Sequence, residues 1–352
     1  MRARAWLAGR LGPPLLSLVS LTLALGLVEC GFALLLQHPT LLRHLPANLR
    51  AHVRNYYLTY DRDLIQANPA SARYDRELFY TLRPGNFRFK SREFDVEFQV
   101  NSKGLRDDRS ALDSPDVIVL GDSFAMGWGV PQQAAFPARV AALSGLKLLN
   151  AGVSSYGTAR EVKLLERLDT SKLRLLLVQY DENDYWENFT LERHGGVLPI
   201  RTAEQFAHTC KRVAADRRYY PGKHTLSIVR AILWPQASPL ETPLPPAEQE
   251  ARQFLYALRS SSVLQRQDVA VLAFELNPAG ISDAGFPSAL SAEIARERLP
   301  ASLQRLHVID FTLLLRSEHY FDLDDHLRES GHELVARELV KAMSRIGVDR
   351  AD

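Results

Sequence analysis

The sequence predicts an α/β protein with three layers, helix on sheet on helix, around a parallel sheet, preceded by an N-terminal transmembrane helix. Three observations lead there. A short, fully apolar run at Val117–Leu120 and largely apolar runs at 173–180 and 269–276 read as strands buried on both faces, the usual condition of a parallel sheet. Segments with helical spacing lie between them, as the crossovers of a parallel sheet require. Ahead of all of these, residues 15–36 hold ten leucines, two valines and a phenylalanine, with Glu29 as the one charged group.

As a helix, residues 15–36 would span about 33 Å, against a hydrocarbon thickness of about 30 Å. The apolar side chains outweigh one acid at about 2.5–3.5 kcal/mol. Pro13 and Pro14 suit a helix start, where a missing N–H costs little. Arg2, Arg4 and Arg10 precede the span, which puts the N-terminus in the cytoplasm and the rest on the far side; Arg43, Arg50 and Arg54 follow it. A cleaved signal peptide fits less well, because the run is long and lacks an A-x-A site. Glu29 directly before Cys30 argues against a lipoprotein site. Residues 1–38 are therefore read as a cytoplasmic tip and a membrane anchor, with the rest of the chain on the far side.

The chain has 352 residues, 46% hydrophobic and 24% charged, which argues against disorder. Two cysteines exclude a disulfide framework, and Cys30 in the membrane would leave Cys210 unpaired. A net charge of +2 gives no sign of a nucleic-acid partner. That charge is divided unevenly: residues 1–54 carry +5, leaving −3 for the remainder.

Residues 39–110 read as a membrane-proximal connector with Tyr56, Tyr57 and Tyr60, then a small strand-rich lead-in. Phe87–Lys90 and 94–100 alternate with period two, and 101–104 is a turn. From 111 to 350 the α/β rhythm runs: strand 117–120, helix 137–143 stopped by Gly145, strand 147–150, helix 158–168 and strand 173–180. Residues 190–245 form an irregular insertion ending in a proline cluster (Pro235, Pro239, Pro243, Pro245, Pro246), read as a surface excursion. A helix at 247–264, strands at 269–276 and 307–311, and a final helix follow. Ser330 and Glu333 suggest a capping box for that last helix, whose stripe runs Val335, Leu339, Met343, Ile346.

Ligands of open α/β sheets bind at the carboxyl ends of the strands. There the sequence places Gly121-Asp122-Ser123, Asn150-Ala151-Gly152-Val153-Ser154-Ser155-Tyr156-Gly157, Glu182-Asn183-Asp184 and, near the end, Asp322-Leu323-Asp324-Asp325-His326. A hydroxyl, a loop of small residues, a carboxamide and an acid–imidazole pair are the inventory of acyl transfer. Ala125 stands where a G-x-S-x-G elbow needs its last glycine, which disfavours an α/β-hydrolase.

In their order, GDS, NAGVSSYG, END and the late D-x-H resemble the four blocks of the SGNH/GDSL hydrolase superfamily, over about 116–184 and 305–345. The NSKGLRD stretch at 101–107 and the anchor are similar to membrane-tethered bacterial members. The resemblance implies a flavodoxin-like SGNH fold with Ser123 as nucleophile, His326 as base and Asp324 as the orienting acid. Asp322 and Asp325 stay open for the acid, because Leu323 occupies the family's common position. It implies oxyanion donors from the Ser123 N–H, Asn183 and a second-block N–H. That last donor would be Ser155, where the family usually has glycine, or Gly152. Asp181 stands where the third block usually has a glycine. His332, inside the first turn of the last helix, reads as structural. Tyr185, Trp186 and Phe189 could line an acyl or sugar site or pack under the insertion. Asn188-Phe189-Thr190 matches a glycosylation sequon.

The expected function is an ester hydrolase or O-acyltransferase acting on envelope or secreted glycan or lipid esters. It would need no metal or nucleotide cofactor, since no Walker A or G-x-G-x-x-G motif follows the first strand. A degenerate relative that binds envelope glycan without turnover is the alternative, motivated by the displaced acid.

Overall fold

The computed structural model describes residues 2–233, 245–266, 269–279 and 285–348. In chain order its helices are α1 (Arg2–Gln37), α2 (Ala47–Tyr56), α3 (Ser123–Met126), α4 (Phe136–Ser144), α5 (Thr158–Leu165), α6 (Asp184–Arg193), α7 (Ala203–Arg217), α8 (Lys223–Leu233), α9 (Ala247–Arg259), α10 (Gly285–Arg296), α11 (Ala301–Gln304) and α12 (Glu329–Arg345). The strands are β1 (Ala72–Asp75), β2 (Phe79–Leu82), β3 (Gly85–Lys90), β4 (Asp95–Val100), β5 (Val117–Leu120), β6 (Leu148–Asn150), β7 (Leu175–Tyr180), β8 (Ala270–Glu275) and β9 (His307–Ile309). The chain forms two compact units, one of residues 1–62, 215–241 and 322–324, the other of 63–214, 242–321 and 325–352.

The larger unit carries a five-stranded sheet in the order β6-β5-β7-β8-β9, parallel throughout. Successive side chains of a strand point to opposite faces, so each apolar strand feeds two cores. On one face Val117, Val119, Leu175, Leu177 and Phe274 pack with Phe136 of α4 and with Val335, Leu339 and Met343 of α12. On the other, Ile118, Leu120, Leu176, Val178 and Val271 pack with Val162 of α5, Phe254 and Leu258 of α9, and Leu290 of α10. This is the expected three-layer α/β/α arrangement. The antiparallel β3–β4 pair closes a third cluster with Phe89, Phe98, Met126 and Trp128. Strand β5 has β6 on one side and β7 on the other, so the order reverses there and a crevice opens beyond its carboxyl end.

Two local expectations are corrected. Residues 190–233 are largely helical, through α6, α7 and α8, rather than irregular. Helix α7 buries only Phe206 and Cys210, so it offers little apolar periodicity; its Ala, Glu, Gln, Lys and Arg content favours helix by propensity instead. Of the proline cluster, Pro235, Pro239 and Pro243 lie outside the described residues. Helix α12 starts two residues early, with Arg328 at the N-cap and no side-chain cap, so Ser330 falls within the first turn. Glu333 turns instead to Arg337, one turn on.

In the smaller unit, α1 contains a 23-residue stretch, Leu15–Gln37, long and apolar enough to cross a membrane. Phe32 and Leu36 near its end are buried with Leu42, Val53, Tyr56, Tyr57 and Leu323.

Candidate active site

The sharp turn from β5 into α3 presents Ser123. Gly121 adopts φ +155°, and a Cβ there would lie 2.5 Å from Gln179 Oε1 and 2.7 Å from the Ala125 Cβ. Only glycine lets the backbone pass between β7 and α3. Asp122 caps α3: its Oδ1 accepts from the Phe124 N–H at 2.9 Å, and its own N–H donates to Gln179 Oε1 at 3.1 Å. Ser123 thus sits at the first helical position with its N–H pointing out of the helix. That N–H has no acceptor among the described residues.

Histidine comes from the other end of the chain. The Phe321 N–H donates to the His326 carbonyl at 3.0 Å, and Tyr320 and Leu327 form an antiparallel bridge. These contacts pin the loop before α12. Nε2 of His326 lies 2.7 Å from Ser123 Oγ. Its Nδ1 lies 2.9 Å from Asp325 Oδ1. Asp325, left open as an alternative by the sequence, is the carboxylate that this unit itself puts on the imidazole. Asp324 and Asp322 belong to the smaller unit. There Asp324 Oδ2 accepts from the Tyr57 hydroxyl at 2.8 Å, and Asp322 takes Arg43 in a two-point ion pair at 2.8 and 3.0 Å.

The second block runs against the first. Val153 N–H donates to the Gly121 carbonyl at 3.0 Å, and a Cβ on Gly152 would lie 2.5 Å from the Met126 nitrogen. Gly152 is needed for this close approach, but its N–H donates to Asn150 Oδ1 at 3.0 Å, which corrects its reading as a donor. Ser155 has φ +57°, a left-handed conformation that explains why glycine would be at ease there. Its N–H has no acceptor among the described residues, while its hydroxyl accepts from Gln66 Nε2 at 2.9 Å.

In the third block Asp181 accounts for the missing glycine. Its Oδ1 accepts from the Asn183 N–H at 3.0 Å and from the Asn183 side-chain amide. This leaves one amide hydrogen of Asn183 to donate elsewhere. A cleft of about 450 Å³ is lined by Ser155 and Asn183 together with Tyr80, Arg160, Trp186 and Arg201. Trp186 is 63% exposed, whereas Tyr185 is buried and stacked on Phe189. Asn188, the sequon residue, is fully buried and accepts from the Ala159 N–H, so the folded chain offers no glycan acceptor there.

Two residues of the site are not visible in the motif pattern. Trp128 stacks on His326, with ring centroids 4.9 Å apart and planes 17° apart. Arg106, buried, donates to the carbonyls of Met126, Gly127 and Val130 and lies over the Phe98 ring. Burial draws its pKa down to about 9. Arg106 therefore shapes the loop that carries Trp128. The only hint in the sequence is its place in the NSKGLRD stretch.

The ground beneath the site is acidic and buried. Burial raises the pKa of Asp122, and the Phe124 N–H and the neighbouring His326 imidazole oppose the rise. Burial and mutual repulsion raise Glu161, Asp181 and Asp184 well above the usual carboxylate range. His332 is buried at the start of α12, where its Nδ1 accepts from the Phe136 N–H at 3.2 Å and burial draws its pKa down to about 3. It is a structural, neutral histidine, as its position in the sequence suggested.

Among solved structures the chain is similar to G-D-S-L lipolytic proteins. A member from Veillonella parvula shares 14% identity over 65% of this chain and 98% of its own, with a TM-score of 0.38. An acetyl xylan esterase from the rumen bacterium Butyrivibrio proteoclasticus shares 12% over 67% and 65%, at 0.36. A salicylyl-acyltransferase from a tetracycline biosynthetic pathway shares 16% over 69% and 57%, also at 0.36. No protein-family model matches the sequence, and no curated protein does. The chemistry of the site is carried by its own geometry.

Proposed function

We propose that the protein is a serine ester hydrolase or O-acyltransferase that works through an acyl-enzyme. The observation that carries this reading is the 2.7 Å contact of Ser123 Oγ with His326 Nε2, backed by a carboxylate on Nδ1. Ser123 Oγ attacks the ester carbonyl as His326 takes its proton, and the imidazolium then protonates the departing alkoxide. Water returning the acyl group to solution completes hydrolysis; a sugar hydroxyl taking it completes transfer. The Ser123 and Ser155 N–H groups and the Asn183 amide are the oxyanion donors, each worth about 2.7–4 kcal/mol of barrier in comparable sites. Asp325 holds the ring on its contact, and Asp324 holds the D-x-H spacing.

The exposed Trp186 and the polar wall of the cleft suit a sugar, which favours acyl esters of envelope or secreted glycans over lipid esters. The apolar stretch Leu15–Gln37 would anchor the enzyme in the inner membrane with the sheet outside the cytoplasm. Fluorophosphonate labelling of the folded protein tests the reading. Wild type is expected to label at Ser123, Ser123→Ala not at all, and His326→Ala far more slowly. Failure of wild type to label, or undiminished labelling of Ser123→Ala, would leave a glycan-binding domain without turnover.

A further inference from the structure

Glu29 is the anomaly of the apolar helix, and the structure shows what answers it. Its carboxylate accepts from the backbone N–H of Thr225 at 2.9 Å and of His224 at 3.3 Å. It also accepts from the Thr225 hydroxyl at 2.9 Å and the Tyr219 hydroxyl at 3.0 Å. The first turn of α8 is therefore seated on α1 eight residues before Gln37, about 12 Å into the apolar stretch at 1.5 Å per residue. His224 stacks on Phe32 at 5.1 Å, and Ile228, one turn on, packs against the cluster of Phe32 and Leu36.

The rest of α8 turns apolar side chains outward. Leu226, Val229 and Leu233 follow one face at i, i+3 and i+7, with Ile232 beside them; Ile232 is 72% exposed and Leu233 59%. Leucines of α1, the helix on which α8 is seated, are exposed as well. Around the α8 face, residues 215–233 carry the exposed Arg217, Arg218 and Arg230 against one acid, Asp216, while Lys223 is buried on the carbonyls of Tyr60 and Asp216; Tyr219 and Tyr220 are exposed just before the helix. An apolar arc edged by cations and preceded by tyrosines is the pattern of a helix lying in a membrane interface.

We propose that α8 lies in the interface of the bilayer that α1 crosses, as a second, non-spanning membrane element. Its occupant is lipid, and the cationic margin favours anionic headgroups. The inference rests on the reading of α1 as a retained membrane span.

The test uses the full chain in vesicles of phosphatidylethanolamine and phosphatidylglycerol, with Cys30→Ser and Cys210→Ala as background. Spin labels are placed singly at Leu25→Cys on α1, Ile232→Cys on α8 and Leu313→Cys, which is 87% exposed in the larger unit. Relaxation by oxygen, which concentrates in lipid, is compared with relaxation by a water-soluble nickel chelate. The labels at 25 and 232 are expected to respond to oxygen and be shielded from nickel, and the label at 313 to do the reverse. Nickel access at 232 with lipid exposure at 25 overturns the proposal and leaves the anchor standing. Shielding from both reagents at 232 also overturns it, since protein would then cover α8. Nickel access at 25 as well would sink the anchor and the proposal together, while Ser123 labelling would still report on the enzyme reading.

Discussion

The indole of Trp128 lies nearly flat on the imidazole of His326, with ring centroids 4.9 Å apart, while Ser123 and Asp325 contact the two ring nitrogens. Stacking fixes the plane of the base while its two nitrogens reach the hydroxyl and the acid. In the proposed reaction it would also set a π face against the imidazolium. Trp128→Leu is expected to lower kcat about 10–100-fold with little change in KM, because a base misplaced by about 1 Å can cost 10²-fold. Trp128→Phe, which keeps a ring, should recover most of the rate. Steady-state kinetics on an activated acetyl ester checks both.

The acid can be assigned by a pair of substitutions. Asp325→Asn is expected to lower kcat by about 10²–10⁴, since an amide cannot accept from Nδ1–H with the same geometry and charge. Asp324→Asn should act mainly on stability, by weakening the bond from the Tyr57 hydroxyl. A large kcat loss at Asp324 with Asp325→Asn near wild type would move the orienting role to the D-x-H position.

Glycine in the second block is a matter of space. Gly152→Ala would bring a Cβ to 2.5 Å from the Met126 nitrogen and 2.7 Å from the Ala125 carbonyl carbon, backbone that cannot rotate away. The substitution should cost about 1–3 kcal/mol and lower kcat by displacing the helix that holds Ser123. Ser155→Gly, by contrast, keeps the N–H at φ +57° and should retain activity. Urea unfolding and acetyl-ester kinetics on the two variants separate fit from chemistry.

His332 makes the fold acid-sensitive. Its pKa falls from 6.5 to about 3 on folding, so the unfolded chain binds the extra proton between those values. Stability contributed by the neutral ring is complete above about pH 6.5 and is lost as pH falls toward 3. His332→Gln should be less stable than wild type at neutral pH, and its stability should fall less steeply between about pH 6.5 and 4. Urea midpoints across that window measure the slope.

What the sequence by itself determined is what repeats or stands at a strand end. The strands at 117–120, 175–180 and 270–275 were legible because both faces are buried, and a run broken by no more than one polar residue has few other solutions. Ser123 stood out because it follows such a strand in a recognisable block, and His326 because of the late D-x-H block alone. The tertiary structure alone decided the pairings that no local pattern encodes. It put Asp325 on Nδ1, Trp128 on the ring, Arg106 beneath the 126–130 loop and the N–H groups of α8 on Glu29. Apart from Asp325 and His326, which are neighbours in the chain, each joins residues brought together by crossovers or by packing between distant helices. A polar contact of this kind depends on direction and distance in space, which the hydrophobic period of either partner does not record.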